Sequence, residues 1–367
     1  MDLDFSEEQD MLRDTMRKLC AEYCDLSVVR AMEESEKGFS REFWDRLFEL
    51  GIGGIRIEEK FGGVDLGVID CAIVYEEMGR SLAPSPHFSS AVLSARLLSL
   101  SESHLEWLPK IASGEAILVP AWQERDAYAD VSRIKTQAIR KGNNLILQGQ
   151  KILVPYANSA DALIVLARME GRLAAILVPS EKFKNGLRAQ ENMADETLFS
   201  VSFDSLSLPE DESLITQDIS AQWDQTMLEG IIVQSALAVG GAMRMLEMAT
   251  DYAKEREQFG KPIGSFQSIA HYLADTATEV EGVRYLMFQA AWALDNGLPF
   301  AQLALMSKLQ CTAVYRRSTA TGVQIHGGIG FSKEADPQLF YRRAKSQQLL
   351  NWDPTYLEER IASEIFG

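Results

Sequence analysis

What most constrains this chain is a change of hydrophobic period that occurs twice. Up to about residue 115 the apolar side chains recur at helical spacing. From Ala116 they fall into short β-rich runs, and after Gln222 the helical spacing returns and holds almost to the end. The 367 residues therefore read as an α+β multidomain protein, with an N-terminal all-α domain (1–115), a middle β domain (116–218) and a C-terminal helical domain (219–367). In the first part Ser6-Glu-Glu-Gln9 has the form of a capping box, a helix starts near Ser40, and helices near 68–79 and 87–100 flank Pro84 and Pro86. The β runs are Ile117–Ala121, Val131–Ile139, Leu145–Leu147, Ile152–Val154, Ala162–Leu166, Leu173–Val178 and Leu198–Phe203. Their close spacing suggests a small sandwich or barrel. The acidic stretch Pro209–Asp218 reads as a linker. Long helices at about 222–254, 265–295 and 300–325, with a terminal one at 354–365, suggest a four-helix bundle.

Charge and composition narrow the function classes. A hydrophobic content of 46% is enough for a buried core, and a formal net charge of −17 argues against nucleic acid and anionic membrane surfaces as partners. An anionic ligand needs only a local basic patch and stays open. Cys20, Cys24, Cys71 and Cys311 form no C-x-x-C or His-rich metal pattern, so no metal is expected. The acidic start lacks an apolar signal core, and no apolar run approaches the roughly twenty residues that cross a bilayer. A reducing cytoplasm is the expectation.

Two segments carry chemistry. The stretch R-E-Q-F-G-K-P-I-G-S-F-Q, Arg256 to Gln267, joins two long helices. Arg256 offers a planar fork suited to phosphate oxygens, Gly260 and Gly264 permit a sharp turn or a close approach, and Gln267 stands at a helix N-terminus, where backbone N–H groups favour anions. A plain helix–loop–helix corner, with the arginine capping the first helix, explains the same residues. The second segment, Q-I-H-G-G-I-G-F from Gln324 to Phe331, places three glycines in four residues at a helix end. By itself it could be an ordinary C-cap.

Together, at a separation of about sixty residues, the two segments resemble the C-terminal domain of the acyl-CoA dehydrogenases. E-L-G-I-G-G-I-R-I-E-E-K-F-G-G followed by V-Y-E-E-M-G-R resembles that family's N-terminal domain. The resemblance implies FAD, an acyl-CoA thioester substrate dehydrogenated between Cα and Cβ, and electron-transfer flavoprotein as acceptor. It also implies a homotetramer, or a heterotetramer with a homologous subunit, in which these segments close over the ADP part of a neighbour's FAD. Arg256, Gln258, Phe259, Gln267, Gln324, Gly327 and Gly328 inherit that cofactor role. The K-I-L-V-P-Y-A-N-S-A-D and L-A-P-S-P-H-F-S-S-A-V-L stretches resemble bacterial branches acting on steroid or aromatic-ring side chains, some built from two unlike subunits of which one lacks the base.

The departures from the family pattern lie where the chemistry does. Removing the α-proton needs a carboxylate, yet after Arg342-Arg343-Ala344-Lys345 the family's glutamate position holds Asn351. Asp353, two residues on, reads better as the N-cap of the terminal helix, with Pro354 at the first helical position. Some members carry the base 26 residues before the FAD arginine, which here is Gly230 with Glu229 adjacent. Glu229 is therefore the candidate catalytic base, against the alternative of an ordinary helix glutamate. The family's substrate-side arginine falls on Ile231. Its flavin-ring segment W-I-T is Leu153-Val154-Pro155, in which proline has no N–H to offer. The alternative to a dehydrogenase is thus an inactive family member that completes the FAD site of an active partner. A third possibility is monooxygenase or nitroalkane oxidase-like chemistry on the same fold.

Overall fold

Helix α1 (Glu7–Tyr23) opens on the reciprocal cap that its sequence announces. Gln9 N donates to Ser6 Oγ at 3.2 Å, and Ser6 N donates to Gln9 Oε1 at 3.2 Å. Ser40 caps α3 (Arg41–Glu49) through Phe43 N, with α2 (Leu26–Glu33) between them. A computed structural model describes residues 4–366. In chain order it continues with α4 (Val68–Arg80), a π-helical segment Phe88–Ser94 running into α5 (Ala95–Ser101), and α6 (Trp107–Ala112). Strands β1 (Leu118–Ala121), β2 (Gln137–Lys141), β3 (Asn144–Pro155), β4 (Ala162–Met169) and β5 (Arg172–Pro179) follow. Next come the single turn α7 (Ser180–Phe183), β6 (Leu187–Ala189), β7 (Leu198–Pro209), the turn α8 (Glu210–Ser213) and β8 (Leu214–Thr216). The rest is α9 (Ser220–Glu255), the hairpin β9 (Glu257–Gln258) and β10 (Lys261–Pro262), then α10 (Gln267–Asp295), α11 (Ala301–His326), α12 (Pro337–Leu349) and α13 (Pro354–Phe366). The result is the mixed α+β fold expected, with helical N- and C-terminal regions and a central sheet.

The described residues divide by contacts into two units. One combines residues 4–29, 67–83 and 231–366; the other combines 30–66 and 84–230, so α9 passes from the second to the first after Gly230. In the first unit α4 crosses α9 at bare backbone. A Cβ on Gly79 would lie 2.1 Å from Leu237 O, and one on Gly240 1.8 Å from Glu76 O, so only glycine admits this approach. Glu76 and Glu77, buried on α4, are paired in bidentate fashion. Arg284 on α10 reaches Glu76 at 2.7 and 3.2 Å, and Arg17 on α1 reaches Glu77 at 3.0 and 2.7 Å. Ser318 on α11 donates to Ala242 O on α9 at 3.1 Å. Helices α10 to α12 pack in succession to complete the bundle.

The second unit is built on one eight-stranded sheet in the order β6-β7-β3-β2-β4-β5-β8, with β1 pairing β4 in parallel. Strand β4 is buried along nearly its whole length, as its apolar run A-L-I-V-L-A dictates. Leu147, Val165, Ile176 and Phe203 from the sheet share one core with Phe39 and Trp44, and the Trp44 indole donates to Gly114 O at 3.2 Å.

Several boundaries differ from the sequence reading. The runs Leu145–Leu147 and Ile152–Val154 are one strand, because the polar residues between them keep pairing with β7 across a register shift at Gly149 (φ 144°). Val131–Arg133 is a 3₁₀ turn capped by Asp130 (Ser132 N to Oδ1, 2.8 Å), so the strand begins only at Gln137. The acidic linker is α8 followed by β8 on the sheet edge beside β5. Helix α9, contrary to expectation, is long and apolar enough by length and composition to cross a membrane. However, 89% of its apolar window is buried inside the protein, the environment of a core helix.

Candidate active site

In the first unit the chain leaves α9 as Arg256 N donates to Tyr252 O at 2.8 Å, then folds into a tight hairpin. Lys261 lies opposite Gln258, and the two loop residues Phe259 (φ 56°) and Gly260 (φ 77°) are both left-handed. A phenylalanine in that region is strained and in this hairpin is 91% exposed, a combination that core packing does not explain. Ile263 N closes the hairpin onto Arg256 O at 2.8 Å, and Gln267, exposed, is the first residue of α10. The Arg256 guanidinium is exposed and has neither ion pair nor hydrogen bond among the described residues.

The second segment arrives at the same place. Ile325 packs with Ala249 and Ala253 of α9, and Ile263, Ile269 and Leu273 close around them. His326 stacks on Tyr252 with ring centroids 4.4 Å apart and planes at 24°. Gln324, Gly327 and Gly328 are exposed, Gly327 is left-handed (φ 67°), and a Cβ added at either glycine would meet nothing within 4 Å. The fold thus brings together two segments that are distant in sequence, leaving a free guanidinium, the first turn of α10 and an open glycine loop on its surface. Sequence reading missed Tyr252 and His326, although Tyr252 precedes Arg256 by one helical turn and His326 adjoins Gly327.

The turn that follows α12 is also in this unit. Asn351 (φ 52°) and Trp352 (φ 70°) are left-handed. Asp353 accepts from Thr355 N at 2.9 Å and Tyr356 N at 3.3 Å, which is the capping geometry expected of it. Asn351 Nδ2 donates to Gln234 Oε1 at 3.4 Å, and Gln234 Nε2 donates to Gln347 O at 3.5 Å. The fully buried Lys308 donates to the same Gln347 carbonyl, and burial pushes its ammonium down to about 7. Asn351, the residue that the resemblance sets at the family's glutamate position, is thus an amide among amides.

In the second unit Glu229 is 1% exposed. Its Oε1 accepts from Arg96 Nε at 3.1 Å, Arg96 Nη2 at 2.8 Å and Gln225 Nε2 at 2.8 Å, while Arg56 Nη2 stands 3.0 Å from Oε2. Burial alone would raise the pKa of this carboxyl. The charges of Arg56 and Arg96, with the Arg96 and Gln225 hydrogen bonds, outweigh it and hold the group below the usual range. A carboxylate held ionised by two guanidiniums is a weak proton acceptor. Neither arginine was singled out from the sequence, since each reaches Glu229 only through long-range folding.

Elsewhere in this unit Leu153-Val154-Pro155, the segment that the resemblance sets against a flavin ring, is engaged internally. Leu153 (φ 54°) donates its N–H to Gln190 Oε1 at 2.7 Å, and Pro155 has none. Beside it Lys151 is fully buried and reaches Glu124 Oε1 at 2.6 Å; Glu124 also accepts from Thr136 Oγ1 and the N–H groups of Lys135 and Thr136. Burial pushes Lys151 down to about 8 and would push Glu124 up, but the Lys151 charge and these hydrogen bonds keep Glu124 below the usual carboxylate range. The pair is therefore ionic at neutral pH. The residues thus fit the two halves of FAD unequally. Arg256, the open glycine loop and the α10 N-terminus suit a diphosphate, whereas the flavin-ring segment has no free backbone donor at Leu153 or Pro155.

Comparisons with known proteins identify the family of the chain. A family model described as "Acyl-CoA dehydrogenase, N-terminal domain" matches residues 6–115, and one described as "Acyl-CoA dehydrogenase, C-terminal domain" matches 224–351. The chain is 30% identical to probable acyl-CoA dehydrogenase YngJ of Bacillus subtilis, over 95% of each protein. Among solved structures it resembles the ChsE4–ChsE5 complex of Mycobacterium tuberculosis, with TM-score 0.89 and 25% identity over 100% of this chain and 99% of that one. It resembles butyryl-CoA dehydrogenase of Megasphaera elsdenii to the same degree, with TM-score 0.89 and 25% identity over 100% of both chains.

Proposed function

The chain belongs to the acyl-CoA dehydrogenase family, FAD-dependent oxidoreductases that act on the CH–CH bond of acyl-CoA thioesters, and from that premise we propose that it serves as the subunit without a base in a heteromeric dehydrogenase. The observation that carries this reading is Asn351. The family's base position holds an amide, hydrogen-bonded to Gln234, and an amide cannot take the α-proton. Arg256, Gln258, Phe259, Gln267, Gln324, Gly327 and Gly328 then serve a FAD whose ring is held by a homologous partner bearing the glutamate. Bound FAD supplies the hydride acceptor; this chain's own contribution is to bind and orient its ADP half.

A complex of two named subunits is among the similar structures, and the amide at Asn351 is what favours a heterotetramer over a homotetramer in this proposal. Electron-transfer flavoprotein as acceptor rests on the family resemblance. Four free, buried cysteines support a reducing compartment, the cytoplasm. The competing reading, an enzyme active alone with Glu229 as base, is favoured by the position of Glu229 on α9 but not by its two arginine partners.

The test is expression of the chain alone and together with a homologous subunit that has glutamate at the position of Asn351. Alone it should carry far less than one flavin per chain and show no acyl-CoA dehydrogenation; the pair should be yellow, active and hold one flavin per two chains. Full flavin loading and turnover by the lone chain would overturn the proposal.

A further inference from the structure

The two nucleotide-facing segments are separate in sequence and their donors do not touch one another, so something must fix the distance between them. We propose that the stacked pair Tyr252 and His326 is that device, a pair of positioning residues that sets the Arg256 guanidinium against the Gly327–Gly328 loop. The inference rests on the reading that these segments bind the ADP half of FAD.

The stack sits at the root of both donors. Tyr252 lies near the end of α9, one turn before Arg256, and its backbone carbonyl accepts the Arg256 N–H at 2.8 Å, while His326 is the last residue of α11, immediately before Gly327. His326 is itself oriented, because Nδ1 is 2.7 Å from Gly322 O and so carries the proton. Nε2 then has no partner among the described residues, and neither has the Tyr252 hydroxyl. The pair is only half-buried, at the margin of a small apolar cluster around Ala249, Ala253 and Ile325. Mere filling of that margin would be done as well by aliphatic side chains. Two near-parallel rings 4.4 Å apart instead tie the end of α9 to the end of α11, since drawing the two helix ends apart loses the ring–ring attraction.

The experiment is a double-mutant cycle read as the rate of FAD release from the purified, FAD-loaded assembly, followed by flavin fluorescence. Tyr252→Ala should speed release roughly three- to tenfold, the scale of an aromatic pair. Tyr252→Phe keeps the ring and drops only an unpartnered hydroxyl, so it should release at the parental rate. Arg256→Ala should speed release on its own. Adding Tyr252→Ala to it should change little, because a positioning residue acts through the group it positions. Additive effects, a Tyr252→Phe variant as poor as Tyr252→Ala, or a Tyr252→Ala variant at the parental rate with Arg256→Ala impaired would overturn the inference and leave the FAD reading standing. No effect of Arg256→Ala would remove the FAD reading itself, and this inference with it.

Discussion

Glu229→Gln separates a structural carboxylate from a catalytic one. The side chain keeps its size but loses the charge that faces Arg56 and Arg96, and its amide would turn two hydrogens toward groups that are themselves donors. Taking one partner from a buried ion pair typically costs about 3–5 kcal/mol. Arg96 keeps a third of its side chain in solvent and can relax outward, so the lower end, about 3 kcal/mol, is the expectation here. For a cooperative unit of this size that corresponds to a melting temperature lower by roughly 6–12 °C. The assay is differential scanning calorimetry of the variant, paired with dehydrogenation per bound flavin in the assembled enzyme at a temperature where both proteins are folded. A stabilising ion pair predicts a depressed melting transition and an unchanged rate. The pKa direction adds a control. Because the folded-state pKa lies below the unfolded one, the stability Glu229 contributes is present above the unfolded value and is lost as pH falls through the folded one, so the deficit of the variant should shrink in acid. A melting temperature within about 2 °C of the parent together with a rate loss of roughly a hundred- to ten-thousand-fold, the signature of a missing general base, would refute this reasoning.

Three further outcomes follow from named groups. Arg256→Ala should weaken FAD binding roughly ten- to a hundred-fold, the worth of a charge-assisted contact, in an equilibrium titration of the assembly; unchanged affinity would remove Arg256 from the site. Lys308, held at about 7 by burial, binds fewer protons folded than unfolded from pH 7 up to its ordinary value near 10.5, so urea midpoints should rise with pH across that window, and Lys308→Met should flatten the rise. Burial pushes His87, whose Nε2 donates to Gly53 O at 3.1 Å, down to about 4. Stability should therefore fall as pH drops from about 6.5 toward 4, and His87→Gln, measured by the same midpoints, should remove that part of the fall.

The elements whose signals are local were the ones legible in the sequence. Ser6 with Gln9 and Asp353 announce helix starts through atoms three residues away and cap as read, and Ser40, read as a helix start, caps α3 in the same way. Strand β3 was read as two because Gln148-Gly149-Gln150 breaks the apolar alternation, whereas pairing with β7 carries the strand through. The hairpin at Phe259–Gly260 was legible only as a glycine turn; a left-handed phenylalanine has no local signature. The environment of Glu229 was the least legible. Its partners come from the glycine-punctuated loop at Arg56 and from α5 at Arg96, so the same glutamate reads as a base from its place along the helix and as half of an ion cluster from its neighbours.

The proposal that this chain lacks a base draws on more than Asn351. Thioester α-proton removal calls for a carboxylate that is shielded from water yet not already committed to a cation, because a paired carboxylate has given up the proton affinity the step requires. Among the described residues four glutamates are buried, Glu76, Glu77, Glu124 and Glu229, and each has its cation: Arg284, Arg17, Lys151, and Arg56 with Arg96. The remaining candidate near the family's base segment, Asp353, receives the N–H groups that open α13. Every one of these carboxylates is therefore engaged in holding segments of its own unit together. Acidic residues abound in a chain of net charge −17, but none that the fold buries is left uncommitted. Asn351→Glu tests whether position alone is what is missing. The new carboxylate would stand beside Gln234, an amide able to turn its N–H₂ toward it, without a paired cation among the contacts Asn351 makes. If this chain lacks only the base, the variant should gain acyl-CoA dehydrogenation when supplied with FAD. If it also lacks the means to hold a flavin ring, as Leu153 and Pro155 indicate, the variant alone should stay inactive and colourless. The second outcome is expected, and turnover by the variant alone would show that the flavin-ring segment is competent after all.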